Sequence, residues 1–213
     1  MNAFVLAGGQ STRMGRDKAL LAWQGRSLIE LALEKLRGLG IEPRIVGARP
    51  DLERLAPVIH DNFPGLGPLG GIEAALSVSG TELNLFLPVD LPLLPVEFLR
   101  WLIARADLTQ AAATIPQAGD RPQPLCAVYH RCLLEGIRAS LRRGDGKVMR
   151  AITDAVSALG TPIDRFDVET VIAAQASRWG RIDPWRRGIP LYRWFENLNT
   201  PLDAERAAAM HRR

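Results

Sequence analysis

Short, unbroken apolar runs alternate along this chain with longer stretches in which apolar residues return every three or four positions. That alternation predicts an α/β fold, a Rossmann-like three-layer sandwich with a mostly parallel sheet and helices on both faces. Residues 3–7 read as a buried first strand. Residues 27–39 place Leu28, Leu31, Ala32, Leu36 and Leu39 on one helical face, and Gly40 supplies the stop. Residues 44–46 and 58–60 read as further short strands. A helix over 69–78 opens from the Gly-Pro-Leu-Gly-Gly turn, residues 83–89 form a central strand, and 95–106 a helix with proline at its first turn. Strands at 111–115 and 125–129 complete the sheet, and helices follow over 131–142 and 147–155. A last helix runs from Pro201 toward Met210, with Thr200 placed to cap it and Asp203 in its first turn.

The periodicity breaks down between Gly160 and Trp194, where Trp179, Trp185 and Trp194 stand among arginines, glycines and prolines; the stretch reads as an insertion or lid. With 213 residues, 47% of them hydrophobic, the chain can bury one substantial core, so residues 1–213 are expected to form a single domain. The most apolar run, Leu83 to Val96, carries Asp90 and three prolines, which makes it a strand with its exit loop and not a membrane span. The first residues have no basic leader, so the protein is expected in the cytoplasm. Two cysteines, Cys126 and Cys132, are too few for a four-ligand zinc site and are read as reduced packing residues.

A net charge of +4 suits nucleic acid, an anionic membrane or a small polyphosphate. The arginines are scattered, with pairs only at Arg142 and Arg143 and at Arg186 and Arg187, and no basic stripe interleaved with aromatics occurs. A small polyanion is therefore the expected partner, with no nucleic acid and no membrane. Directly after the first strand comes Leu6-Ala7-Gly8-Gly9-Gln10-Ser11-Thr12-Arg13-Met14-Gly15-Arg16-Asp17-Lys18. Glycines let backbone amides approach phosphates without a Cβ in the way, and Arg13 and Lys18 can neutralise them. The spacing fits neither G-x-G-x-x-G nor the P-loop. The plain alternative is a tight strand-to-helix turn bearing two surface cations.

This loop resembles the signature of molybdenum cofactor guanylyltransferases, in the superfamily of nucleotide-diphospho-sugar transferase-like nucleotidyltransferases. Gly8 stands where cytidylyl-transferring relatives usually have alanine, and Asp17-Lys18 where sugar-nucleotide pyrophosphorylases usually differ. The resemblance continues through Val58-Ile59-His60-Asp61, Gly67-Pro68-Leu69-Gly70-Gly71-Ile72, Leu87-Pro88-Val89-Asp90-Leu91-Pro92, Gln123-Pro124-Leu125 and the closing Asn197-Leu198-Asn199-Thr200-Pro201. Two features depart from it. Gly47 stands where some members have an asparagine near the nucleotide, and 160–194 is longer than usual.

The resemblance implies that the enzyme binds GTP and molybdenum-molybdopterin and joins GMP to the pterin's terminal phosphate, releasing pyrophosphate. It implies Leu6, Ala7, Gly8, Gly9, Lys18, Asp61 and Asp90 at the nucleotide, Arg13, Lys18 and Asp90 as catalytic groups, and Mg²⁺ on Asp90 with Asn199 as a second candidate. Molybdoenzymes or their chaperones are further candidate partners. Read from the residues alone, Asp90 follows an apolar strand and should sit at the sheet's carboxyl edge, where such sheets bind ligands; the alternatives are a solvated loop aspartate or a helix cap. Asp61 can accept the ring N–H and the amino N–H of guanine, or it can simply cap its loop. Phosphate is already largely dianionic near neutrality, with a second pKa of about 6, so no general base is required and His60, His130 and His211 read as structural or surface residues. The competing functions are cytidylyl transfer to the same pterin and a non-catalytic nucleotide-binding adaptor that delivers cofactor.

Overall fold

A computed structural model describes residues 1–8, 17–179, 189–200, 202–203 and 205. Strand β1 (Asn2–Leu6) leads, past a small hairpin of β2 (Ala22–Trp23) and β3 (Arg26–Ser27), into helix α1 (Leu28–Arg37). Strands β4 (Pro43–Val46) and β5 (Val58–Ile59) precede α2 (Pro68–Val78), and the central β6 (Leu83–Pro88) precedes α3 (Val96–Thr109). Then come β7 (Ala113–Ala118), the short β8 (Arg121–Pro122), β9 (Ala127–His130), the helices α4 (Leu134–Arg142) and α5 (Val148–Leu159), and finally β10 (Ile163–Asp167) and α6 (Val168–Trp179).

The sheet runs in the order β10-β7-β9-β6-β1-β4-β5, with β8 attached to β7. β1 is parallel to β4 and β6, β4 to β5, and β7 to β10, whereas β9 is antiparallel to both β6 and β7. Reversing one strand between two parallel blocks leaves β5, β4, β1, β6, β7 and β10 pointing the same way. Their carboxyl ends therefore open along a single edge, the one at which open α/β sheets bind ligands.

Side chains of successive strand residues alternate between faces, and β1 uses this to serve two cores. Ala3 and Val5 pack with Leu28, Leu33, Phe98 and Leu102 from α1 and α3. Phe4 and Leu6 pack with Leu69, Ile72, Ile137 and Ile152 from α2, α4 and α5. The rings of Phe4, Phe86 and Tyr129 continue the second core from strand to strand, at centroid separations of 5.3 and 5.6 Å. Ser27 caps α1 in a reciprocal capping box with Glu30.

Several elements differ from the sequence reading in instructive ways. The segment 131–142 is a short 3₁₀ turn, Arg131–Leu133, followed by α4, because the His130 ring accepts from the Cys132 amide at 3.0 Å and tightens the entry. Most of the stretch 160–179 is regular: β10 adds an edge strand and α6 packs Val171 and Ile172 against the first core. Arg105 of α3 ties β10 down, reaching Asp164 through two hydrogen bonds of 2.6 and 2.7 Å while its guanidinium lies 4.5 Å from the Phe166 ring centroid. Trp179 is the last residue of α6, and Trp185 lies outside the described residues. Of the last helix only Leu202, Asp203 and Glu205 are described; Asp203 accepts from the Thr200 amide at 2.9 Å and its own amide donates to Thr200 Oγ1 at 3.1 Å. Cys126 is buried as expected of a packing residue, but Cys132 is exposed on the 3₁₀ turn. No helix of the described residues is long and apolar enough to cross a membrane.

Candidate active site

Beside one another at the ligand edge, β1 and β4 end in a close contact of two glycines. The Ala7 amide donates to Val46 O at 3.0 Å, and the Gly47 amide to Ile59 O at 2.9 Å. A Cβ on Gly47 would stand 2.9 Å from both Cα and N of Gly8, and Gly47 holds φ at +138°, a conformation side chains resist. The sequence reading treated Gly47 as a lost polar contact. The structure gives it a packing role, since any side chain there would push Gly8 out of place. Gly9 and Arg13 lie outside the described residues.

Asp17 Oδ1 accepts from the Ala19 amide at 2.9 Å, capping the turn Lys18–Leu20, and also from Arg49 at 2.9 Å. Asp17 thus fixes the turn that aims Lys18. The Lys18 ammonium is ion-paired with Asp90, which follows β6 and is 8% exposed. Sequence reasoning named both residues, and the fold brings them together.

Four further bonds hold the Asp90 loop. The Val89 amide donates to Leu6 O at 3.2 Å, and the Leu198 amide to Asp90 O at 3.0 Å, so the Asn-Leu-Asn-Thr segment closes directly over the carboxylate's backbone. Asn199, exposed, is the next residue. From below, Lys35 of α1 turns its ammonium inward and donates to Leu91 O at 2.8 Å and Pro92 O at 2.6 Å. Burial lowers the Lys35 pKa to about 7, and the neighbouring Cys126 thiol is pushed up to about 12, chiefly by burial. The unfolded chain keeps the Lys35 proton up to the ordinary value of 10.5, whereas the folded chain releases it near 7. Between those values the unfolded state binds more protons, so stability rises with pH there. The melting temperature of the wild type relative to Lys35→Met is accordingly expected to climb as buffer pH goes from 7 to 10; parallel profiles would disprove it.

Asp61 lies beyond β5, with Oδ1 buried and without a hydrogen-bond partner. It faces the start of α2, where Cβ atoms on Gly71 and Gly70 would approach its carboxylate at 3.3 and 3.8 Å, and where Gly71 leaves room for Val46 Cγ1. Burial raises the Asp61 pKa, nearby Glu73 raises it further, and His60 opposes them. Glu73 is 1% exposed and fully engaged, by Arg138 Nε at 2.7 Å and Asn62 Nδ2 at 2.9 Å. It pins Asn62, and so the Asp61 turn, onto α2. Neither Glu73 nor Lys35 was singled out from the sequence; a lone carboxylate inside Gly-Gly-Ile-Glu-Ala-Ala-Leu is the signal that marked the first.

Leu6 and Ala7 can offer only backbone, and Leu6 O and the Ala7 amide are already committed between strands. Among the described residues no three His, Cys, Asp or Glu side chains cluster as a metal cage. A hard cation shared with phosphate oxygens and water requires only one or two protein carboxylates. Asp90, at the sheet edge and paired with Lys18, suits that arrangement.

Residues 3–158 match the model of the MobA-like NTP transferase domain. The chain belongs to that family. It is a nucleotidyltransferase. The molybdenum cofactor guanylyltransferase of Vibrio cholerae is 36% identical to it over 152 residues, spanning 68% of this chain and 73% of the relative. A relative from Methanothermobacter thermautotrophicus, named "Probable molybdenum cofactor guanylyltransferase", is 35% identical over 209 residues, spanning 93% of this chain and 94% of its own. In crystal form, molybdopterin-guanine dinucleotide biosynthesis protein A from Archaeoglobus fulgidus superposes with a TM-score of 0.75 at 25% identity, covering 99% of this chain and 98% of that one.

Proposed function

We propose that this MobA-like transferase moves GMP from GTP to the terminal phosphate of molybdenum-molybdopterin, yielding the guanine dinucleotide form of the cofactor and pyrophosphate. The observation that carries the reading is the ion pair at the sheet's ligand edge between Asp90, after β6, and Lys18, the lysine that ends the glycine-rich sequence. An oxygen of the acceptor phosphate forms a bond to the α-phosphorus of GTP as the bond to the β-phosphate oxygen breaks, and the electron pair leaves with pyrophosphate. The attacking phosphate is already ionised, so the protein's task is alignment and neutralisation. Asp90, with Asn199 as a second candidate, would hold Mg²⁺, which neutralises charge between the phosphates when bound. Lys18, with Arg13, stabilises the departing pyrophosphate. Asp61 accepts the ring N–H and amino N–H of guanine, the pair of donors that adenine lacks. The reaction takes place in the cytoplasm, and the product passes to molybdoenzymes or their chaperones.

The test offers purified protein GTP, CTP, ATP and UTP in turn, with Mg²⁺ and molybdenum-molybdopterin, and follows pyrophosphate. GTP alone is expected to turn over. Turnover with CTP alone would make it a cytidylyltransferase, and binding without turnover an adaptor. In the same assay Lys18→Ala is expected to lower kcat/KM for GTP about thirtyfold, the value of one charge-assisted hydrogen bond of about 2 kcal/mol. An unchanged kcat/KM would remove Lys18 from the phosphates.

A further inference from the structure

On the far side of β9 from the glycine-rich turn, the carboxyl ends of β7 and β10 lie paired, Gln117 beside Asp167. A cavity of about 170 Å³ opens there, lined by Gly119, Val168, Glu169, Leu191, Tyr192 and Phe195. Three separate parts of the chain build it: the β7–β8 turn, the first residues of α6, and the turn Leu191–Arg193 with Phe195 after it. Phe195 is held edge-on to Phe98 at 5.7 Å, which fixes one aromatic wall. Tyr192 is 77% exposed and offers a second aromatic face at the rim, beside the exposed carboxylate of Glu169. Ordinary ligand cavities begin at about 300 Å³, so this one suits a flat ring and excludes a whole nucleoside triphosphate.

Its position relative to Asp90 matters. Phe195 lies three residues before Leu198, whose amide is bonded to Asp90 O. Three extended residues span at most about 10 Å, so the Phe195 wall lies within about a nanometre of the Leu198 amide that holds the Asp90 backbone. Gly8 and Asp61 lie on the other side of Asp90 in the strand order, over β1, β4 and β5. An in-line displacement places attacking and leaving oxygens on opposite sides of phosphorus. With the proposed nucleotide groups on the β1 side of Asp90, the β7 side is the flank left for the acceptor.

We infer that this cavity takes the pterin ring of the acceptor, with Tyr192 and Phe195 contacting its faces and Glu169 accepting two N–H groups from its 2-amino-4-oxopyrimidine edge. The inference rests on the guanylyl-transfer reading and adds to it where the second substrate sits. Guanine presents the same edge, so the decisive measurement must separate the two rings.

The probe is 6-hydroxymethylpterin, whose own fluorescence is titrated with the full chain, with and without saturating GTP. Saturable quenching is expected that persists when GTP is present and weakens about tenfold in Tyr192→Ala, from a lost stacking contact, and in Glu169→Gln. In turnover both variants should raise KM for molybdenum-molybdopterin about tenfold and leave the Kd for GTP unchanged. Both side chains are exposed, so the fold is retained. Absence of saturable quenching, displacement of the probe by GTP, or equal binding by wild type and variants would overturn the assignment. A protein that binds the pterin in this way but turns over no GTP would instead refute guanylyl transfer and leave the pterin site standing.

Discussion

Asp90→Ala is expected to lower kcat for GMP transfer by about a thousandfold, while Asp90→Asn, which keeps the size and the backbone bond to Leu198, falls nearly as far. Removing one preorganised electrostatic group from a site that works by charge neutralisation costs about 10²–10³ in rate, and a carboxylate in the proposed metal-holding role would stand at the upper end. The Asp90 side chain is 12% exposed and paired with Lys18, so its charge is held where phosphate charge must be balanced. Asp90→Ala leaves Lys18 without its anion, but Lys18 is 24% exposed on its side chain and can turn to solvent or to phosphate. GTP affinity should therefore change much less than kcat, and circular dichroism melts should stay close to wild type. Pyrophosphate release under saturating substrates gives the rate. A near-normal kcat in Asp90→Asn would show that the carboxylate is an architectural partner of Lys18 and nothing more.

Asp61→Asn is expected to reduce kcat/KM for GTP about a hundredfold, the loss of two charge-assisted hydrogen bonds at about 1.5 kcal/mol each. ITP, which lacks the exocyclic amino group, should lose only about tenfold, since one of those two bonds is absent from the start. A loop cap would instead weaken all nucleotides equally. The two outcomes are separated by the ratio of kcat/KM for GTP and ITP. The pH dependence has a definite sign. In the proposed guanine contact only ionised Asp61 would accept both N–H groups, and burial with the nearby Glu73 raises its pKa. The KM for GTP should thus rise as pH falls, starting at a higher pH than an ordinary aspartate of pKa about 3.9 would give, and Asp61→Asn should flatten that limb.

Much of this was legible along the chain because local pattern and tertiary role agree. β1 beyond Asn2 and β6 apart from Asn84 are apolar because both faces are covered, and runs of that kind read as interior strands. Lys18 and Asp90 were identified by their motifs, but their pairing joins residues brought together only when β1 and β6 lie side by side. β10 was missed because Ile-Asp-Arg-Phe-Asp buries only Phe166, and what holds this edge strand is Arg105 on a distant helix. Lys35 sits one residue from the core position Leu36 and looks like a solvated helix charge; its partners are carbonyls, which leave no mark in a sequence. Gly47 is the same kind of case, a requirement for the absence of a side chain that only the approach of Gly8 reveals.

The clasp between Leu198 and Asp90 also governs the order in which this protein matures. During synthesis the first strands, their helices and the reversed β9 can assemble as they emerge, since each packs on neighbours already made. The loop that carries Asp90 waits for the Leu198 amide, delivered from the far end of the described chain. A contact of such sequence separation forms late, because the entropy of closing the long loop must be met before the bond returns anything. A nascent chain that has built most of its sheet therefore still lacks this clasp, and a ribosome stalled before the closing Asn-Leu-Asn segment is expected to expose a folded body whose Asp90 loop is not yet fastened.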